Sequence, residues 1–328
     1  MRSITILFFI TFFSNIVCAQ RNGCTDQQAK NYDSKADRND GSCVYSKNKI
    51  KPDFSVTLSD AVHESSGLLY WKNKLWTMND DGDTHLYSFD SLGKKVQKLA
   101  ITKVRNTDWE AIAQDSAYIY IGDLGNNVNG NRKDLHILKI EKNALLQNKT
   151  VVDTISFSFE KQFSFENQKA NTTDFDCETL LVTRDSIYLV TKEWSSKKAS
   201  LHVLPKTKGE HQAKFKAEFN VKGLITGGVI LEDQKIIALS GYSKMLKPFV
   251  YLLYDYNGND FFSGNKRKIK LALPFHQVEG IATKDGLHYY LTNEAFQRKP
   301  LISVPQKLHS IDLSDYLKSY LLKTVRNH

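Results

Sequence analysis

From residue 53 onward the chain runs in short apolar stretches that alternate with polar positions and are broken by turn residues, the period of β-strands. Leu75-Trp76-Thr77-Met78, Tyr118-Ile119-Tyr120-Ile121, Ile187-Tyr188-Leu189-Val190, Ile236-Ile237-Ala238-Leu239 and Tyr289-Tyr290-Leu291-Thr292 are each dense in aromatic and β-branched side chains. Cleanly alternating strands follow at His85-Leu86-Tyr87-Ser88-Phe89, Leu135-His136-Ile137-Leu138-Lys139 and Leu308-His309-Ser310-Ile311-Asp312. Fourth strands are more polar, at 96–101, 154–159 and 268–273. A sustained helical period shows at residues 314–325, where Tyr316, Leu317, Tyr320 and Leu321 predict one short amphipathic helix. The class is all-β.

A second pattern orders these strands. His63-Glu64-Ser65-Ser66-Gly67-Leu68, Trp109-Glu110-Ala111-Ile112-Ala113, Cys177-Glu178-Thr179-Leu180-Leu181 and Val278-Glu279-Gly280-Ile281-Ala282 are copies of one motif, with a degenerate copy at Ile225-Thr226-Gly227-Gly228. Their spacings of 46, 68, 48 and 53 residues are those of four-stranded propeller blades. The prediction is a single β-propeller of five blades, with a sixth left open by the long second repeat. The last repeat lacks a fourth strand, and Asp53-Phe54-Ser55-Val56-Thr57-Leu58 is placed to supply it, closing the ring and removing its free edges.

The remainder of the chain sets the compartment. Residues 4–19 are the only long apolar run; with Arg2 ahead and Val17-Cys18-Ala19 behind, residues 1–19 read as a signal peptide. A multi-span membrane protein is excluded, no transmembrane helix is expected once the signal is removed, and an exported protein is implied: periplasmic, surface-bound or secreted. Lipid anchoring through Cys18 is the lesser reading, because Asn15-Ile16-Val17 matches a lipoprotein signal poorly. Cys24 and Cys43 bracket a short segment that reads as a disulfide-closed loop in an oxidising compartment, and Cys177 is left as a buried single thiol. Residues 20–45 form a small module and 46–52 a polar linker to the propeller at 53–313; 314–328 are the helix and tail. The net charge of +9 is dispersed along the chain and not gathered into a stripe with aromatic residues in register, so a nucleic-acid partner is not expected.

Two resemblances rest on these residues. The segment 23–45, GCTDQQAKNYDSKADRNDGSCVY, resembles a cysteine-bracketed motif that recurs in secreted bacterial multidomain proteins. Its Asp33, Asp37, Asn39 and Asp40 form either Asx turns or a calcium loop, with turns favoured. Across 53–313, Glu64-Ser65-Ser66-Gly67-Leu68, Asp108-Trp109-Glu110-Ala111-Ile112 and Ile121-Gly122-Asp123-Leu124-Gly125-Asn126-Asn127 resemble the secreted bacterial propellers related to SdiA-regulated proteins and the esterase-like phytase domain. That resemblance implies a propeller and, through the phytase-like branch, ester hydrolysis.

In a propeller the first strand of each blade lines the axis, so Glu64, Glu110, Glu178 and Glu279 are expected around one channel, with Thr226 breaking the ring. Converging carboxylates repel unless protonated or met by a cation, which makes these four the candidate ligands of a calcium ion, the one cofactor the sequence suggests. The favoured reading makes them structural latches to backbone amides or to Arg105, Arg132 or Lys192. Second-strand ends add Asn79, Asp80, Asp123, Asn126, Asn127, Lys192 and Glu294, and Arg132 is the candidate anion grip. No catalytic set is assigned: GxSxG, HExxH, Walker and GxGxxG patterns are absent. The leading function is therefore a non-enzymatic propeller that binds a small molecule or protein at its channel mouth. The alternatives are a calcium-assisted phosphate or carboxylate ester hydrolase and an envelope scaffold.

Overall fold

A computed structural model describes residues 20–326, so the predicted signal peptide lies outside the described residues. Four-stranded antiparallel sheets follow one another along the chain. Blade one comprises Ser65–Trp71, Lys74–Asn79, His85–Phe89 and Lys95–Ala100, and blade two Trp109–Gln114, Tyr118–Asp123, His136–Glu141 and Val152–Phe159. Blade three comprises Cys177–Val182, Ser186–Thr191, Ala199–Pro205 and Gly209–Phe219, and blade four Leu224–Leu231, Ile236–Tyr242, Pro248–Tyr254 and Asn265–Leu271. Blade five is Val278–Thr283, His288–Asn293 and Lys307–Asp312, completed by the N-terminal strand Phe54–Thr57. That strand pairs antiparallel, Lys307 opposite Thr57 and Ser310 opposite Phe54. The chain is a five-bladed β-propeller closed by its N-terminal strand.

Alternation along the strands buries one side chain in two against the neighbouring blade. The apolar residues accordingly form five clusters, each drawn from two adjacent blades. Trp76, Met78, Trp109 and Ile121 belong to the seam between blades one and two. Leu58, Leu68, Tyr87 and Leu308 belong to the one between five and one. The core is thus a ring of interfaces around the axis, and the sheets meet there through very small residues. A Cβ on Gly227 would stand 2.3 Å from the Glu279 carbonyl oxygen, and one on Gly280 2.7 Å from Leu68 Cβ. Only glycine permits the inner strands to approach this closely.

The long second repeat holds no sixth blade. Its surplus is the strand-free connection 160–176, which leads from blade two to blade three. Next to it, Gly209–Phe219 pairs first with blade two, in parallel (Ile155 opposite Gly209), and then with its own blade (Ala199 opposite Phe219). The outer edges of the two blades are thereby joined into one eight-stranded sheet.

The segment read as a polar linker contains Asn48–Ile50, which adds in parallel to the outer edge of blade four, Ile269 opposite Asn48. Cys24 and Cys43 are disulfide-bonded. The loop they close rests on blade four: Asp26 accepts hydrogen bonds from Tyr45 (2.8 Å) and Tyr254 (2.6 Å), and Asn39 donates to Asp255 (2.9 Å). The C-terminal helix Ser314–Arg326 buries Leu317 against blades four and five, and Tyr320 donates to the carbonyl of Gln234, in a turn between first and second strands. Among the described residues no helix is long and apolar enough to cross a membrane.

Candidate functional site

Inner strands begin at one end of the propeller, where second-to-third strand loops and blade-to-blade connections also gather. The helix Ser314–Arg326 packs at the other end, on the turns between first and second strands, and leaves this one open. A cavity of about 540 Å³ occupies it, lined by Ser66, Asp80, Glu110, Glu178, Lys192, Trp194, Tyr242, Gln277, Glu279 and Glu294, with Lys197 and Lys244 among the loop residues.

The acids reach the axis through a local device. The pairing of first with second strand skips one residue at Glu110, at Glu178, at Thr226 and at Glu279. A bulge of this kind turns a side chain out of the alternating pattern, and here each bulged side chain faces its neighbours in the next blades. In blade one the irregularity falls one step later, between Ser66 and Leu69, and Ser66, paired with Met78, closes the ring through its hydroxyl, which donates to the Glu110 carbonyl (3.1 Å) and carboxylate (3.2 Å). The ring is Ser66, Glu110, Glu178, Thr226 and Glu279.

Glu64 stands ahead of the strand. Its side chain is 38% exposed, lies 3.5 Å from the His63 imidazole, and does not line the cavity. With Asp80 and Asp81 it forms, among the described residues, the one group of three acids whose oxygens lie within 4.8 Å of one another. Glu110, Glu178 and Glu279 do not form such a group. Calcium needs several oxygens at about 2.3–2.6 Å, so the ring as it stands is too open to enclose that ion.

Lys192 supplies a cation from within. Its ammonium is buried, forms an ion pair with Glu178, and lies over the rings of Trp194 (4.9 Å) and Tyr242 (5.4 Å). Burial opposes its charge, but Glu178 and the surrounding acids outweigh burial and hold its pKa well above the usual lysine range. The carboxyls move the other way. Burial, with Glu178 and Asp108 adding repulsion, raises Glu110 well above the usual range. Burial, followed by Glu294 and Glu110, pushes Glu279 up to about 8 against the pull of Lys192. Burial, Glu64 and Glu294 push Asp80 up to about 8 as well. Burial also raises Glu294, whose carboxylate accepts from the Gln277 amide. No donor reaches Glu178 Oε2 or Glu279 Oε2, although both atoms are buried.

Several residues expected at the mouth are committed elsewhere. Asn79 donates to Ala61 O (3.0 Å) and Asp83 (3.1 Å), and Asn126 to Phe175 O (3.1 Å). Arg132 spends its guanidinium on Asp123 (2.6 Å), Gly125 O (2.8 Å) and Asp134 (3.0 Å), which fixes the blade-two loop and leaves it outside the cavity lining. Asp123 is fully buried in that latch. Asn127, Asp80, Lys192 and Glu294 do line the cavity. Trp194, Lys197 and Lys244 do so too, without having carried a signal in the sequence. Trp194 is held by a 2.7 Å bond from its indole to Asp176. Cys177 is fully buried, and burial raises its thiol far above the reactive range.

Below the ring the axis narrows to about 10 Å³ of space between Gly67, Ala111, Leu180, Gly227 and Ile281. The channel is a well with a floor.

No family matches the chain, and no curated protein does. Solved structures with a related chain path include a streptogramin B lyase, 7% identical over 79% of this chain and 87% of that one at a TM-score of 0.39. Another is NanB plus optactamide, 12% identical over 75% of this chain and 40% of that one at 0.44. U3-55K is 9% identical over 75% and 68% at 0.34. At these values no argument about chemistry passes from them to this chain. The propeller stands on its own strand pairing, and the SdiA-regulated and phytase-like resemblance stands on the sequence motifs alone.

Proposed function

We propose that this is an exported ligand-binding propeller whose well takes a cationic nitrogen group. One observation carries the reading: Glu178 and Glu279 line the same cavity, and each keeps a buried oxygen, Oε2, that no hydrogen-bond donor reaches. With Glu279 raised to about 8, the empty site holds a proton near neutral pH, and a bound ammonium or guanidinium group takes the place of that proton while giving the buried oxygens their donors. Trp194 and Tyr242 add faces on which such a cation rests, as Lys192 already does. The spread of the ring oxygens favours a cation larger than calcium, and an internal lysine already neutralises Glu178. The disulfide supports export. The loop it closes serves in this reading as an attachment knob, anchored on blade four.

Calorimetric titration with alkylamines, guanidinium compounds and calcium tests the assignment. Saturable amine or guanidinium binding that Glu279→Gln weakens at least about tenfold is the expected result. Calcium binding with amine indifference would instead favour the metal site and justify screening phosphate and carboxylate esters. Heat from neither would overturn the cation site.

A further inference from the structure

The well is not acidic throughout. Asp80 and Glu294 line it from blades one and five, and Glu110, Glu178 and Glu279 lie on the inner-strand bulges. The side formed by blades three and four is different. There the second-to-third strand loops bring up Lys197 and Lys244, and both line the same cavity. Among the described residues neither takes part in an ion pair, whereas Lys198, the next residue along, reaches Glu218 at 2.6 Å. Lys197 Nζ is buried and no acceptor reaches it. The two ammonium groups are close enough that Lys244 adds to burial in lowering the Lys197 pKa.

Lys197 is half-buried and Lys244 exposed at the rim, where two adjacent ammonium groups repel one another. An anion placed between them relieves both the repulsion and the missing acceptor. The cavity therefore offers unsatisfied acceptors at its base and an unsatisfied donor at its blade-three and blade-four rim, within one space of about 540 Å³. That volume is in the ordinary range for a small ligand, roughly 300–1,000 Å³. Trp194 and Leu246 line it beside the lysines and can cover the apolar part of such a molecule.

Building on the cation site above, we infer that the ligand is an amino-carboxylate: a molecule of amino-acid or short-peptide size, with its cationic nitrogen on Glu178 and Glu279 and its carboxylate between Lys197 and Lys244. Neither half of the cavity alone specifies this. The acids would take any amine; the lysine pair makes the site discriminate against amines that lack an anionic end.

The test uses pairs that differ only by a carboxylate: arginine against agmatine, and lysine against cadaverine, titrated into the intact protein. Arginine and lysine are expected to bind about tenfold or more tightly than their decarboxylated partners. Lys244→Gln with Lys197→Gln, two loop positions, is expected to bring each ratio to within about twofold while agmatine binds as before or better. A thermal melt of each variant establishes that the fold is intact. Equal or tighter binding of agmatine and cadaverine to the unaltered protein overturns this inference and leaves the cation site standing. Discrimination that survives in the double variant overturns the role of the lysines. A preference for phosphoethanolamine over ethanolamine, with none in the amino-acid pairs, replaces carboxylate by phosphate and overturns the amino-carboxylate. No binding by any of the compounds overturns both readings.

Discussion

Lys192 sits among carboxyl groups that would otherwise exclude one another. Removing it leaves Glu178 buried and unpaired beside Glu279 and Glu110, a change that costs roughly 3–5 kcal/mol in buried pairs elsewhere. Lys192→Met should therefore lower stability in urea by about 3 kcal/mol, and Lys192→Met with Glu178→Met should recover most of it. Failure of the second change to rescue would mean that Lys192 acts mainly by packing on Trp194 and Tyr242. Glu279→Gln should behave in the opposite sense above pH 8, where it removes a charge from the ring. The variant should melt higher than the parent there and match it near pH 5. Of these residues Glu110, Glu178 and Glu279 were legible in the sequence because the same motif returns with each inner strand. Glu64 misled because Gly67-Leu68 aligns with Gly280-Ile281, so that Ser66, not Glu64, takes the place that the glutamates hold in the other blades. Lys197 and Lys244 left no trace: they lie on irregular loops of different blades, and only the closed ring brings them together.

The strand Phe54–Thr57 is the element on which closure depends. It is short, half-exposed, and held by one ladder to Lys307–Asp312. His309 fastens it: the imidazole Nδ1 lies 2.7 Å from the Ser55 hydroxyl and Nε2 2.9 Å from Asn293 Oδ1, tying the closing strand across blade five. His309→Leu should lower stability by about 1–2 kcal/mol, the scale of two lost buried hydrogen bonds. Hydrogen exchange should then rise first in residues 54–57. Uniform loss of protection across all blades would show that the seam does not open separately. The strand itself was readable from alternation and from the missing fourth strand of the last repeat. The pairing of Gly209–Phe219 with two blades was not, because an outer strand with mixed polarity fits either edge.

At the scale of the whole molecule the buried titrating groups pull in two directions. Carboxyls raised in the native state, Glu279 and Asp80 to about 8 and Asp108 to about 6, bind protons more tightly folded than unfolded. Their contribution is fully present below the unfolded value near 4 and is lost as pH climbs through 6 to 8. Histidines lowered by burial, His309 to about 3 and His202 to about 4, work in reverse. They stay neutral when folded, so stability is lost as pH falls below the unfolded value near 6.5. The raised carboxyls outnumber the two histidines, so the melting temperature of the ligand-free protein should be highest near pH 4–5 and decline on both sides, and a cation in the well should flatten the alkaline limb. An alkaline limb unchanged in Glu279→Gln would remove the acids as its cause. The all-β class followed from strand alternation, and repeat spacing gave five blades with a sixth left open by the long second repeat. The seating of the disulfide loop and the C-terminal helix on blade four followed from neither, since single contacts such as Asp26 with Tyr254 have no periodicity to announce them.

The floor beneath the ring has a kinetic meaning. With only about 10 Å³ of space between Gly67, Ala111 and Gly227, nothing passes through the propeller, and whatever enters the well must leave by the way it came. Arrival and departure share one doorway, framed by the loops that carry Lys197, Lys244 and Leu246. Any body that settles over that doorway after the ligand has entered converts an equilibrium site into a trap, with a residence time set by the cover and not by the well.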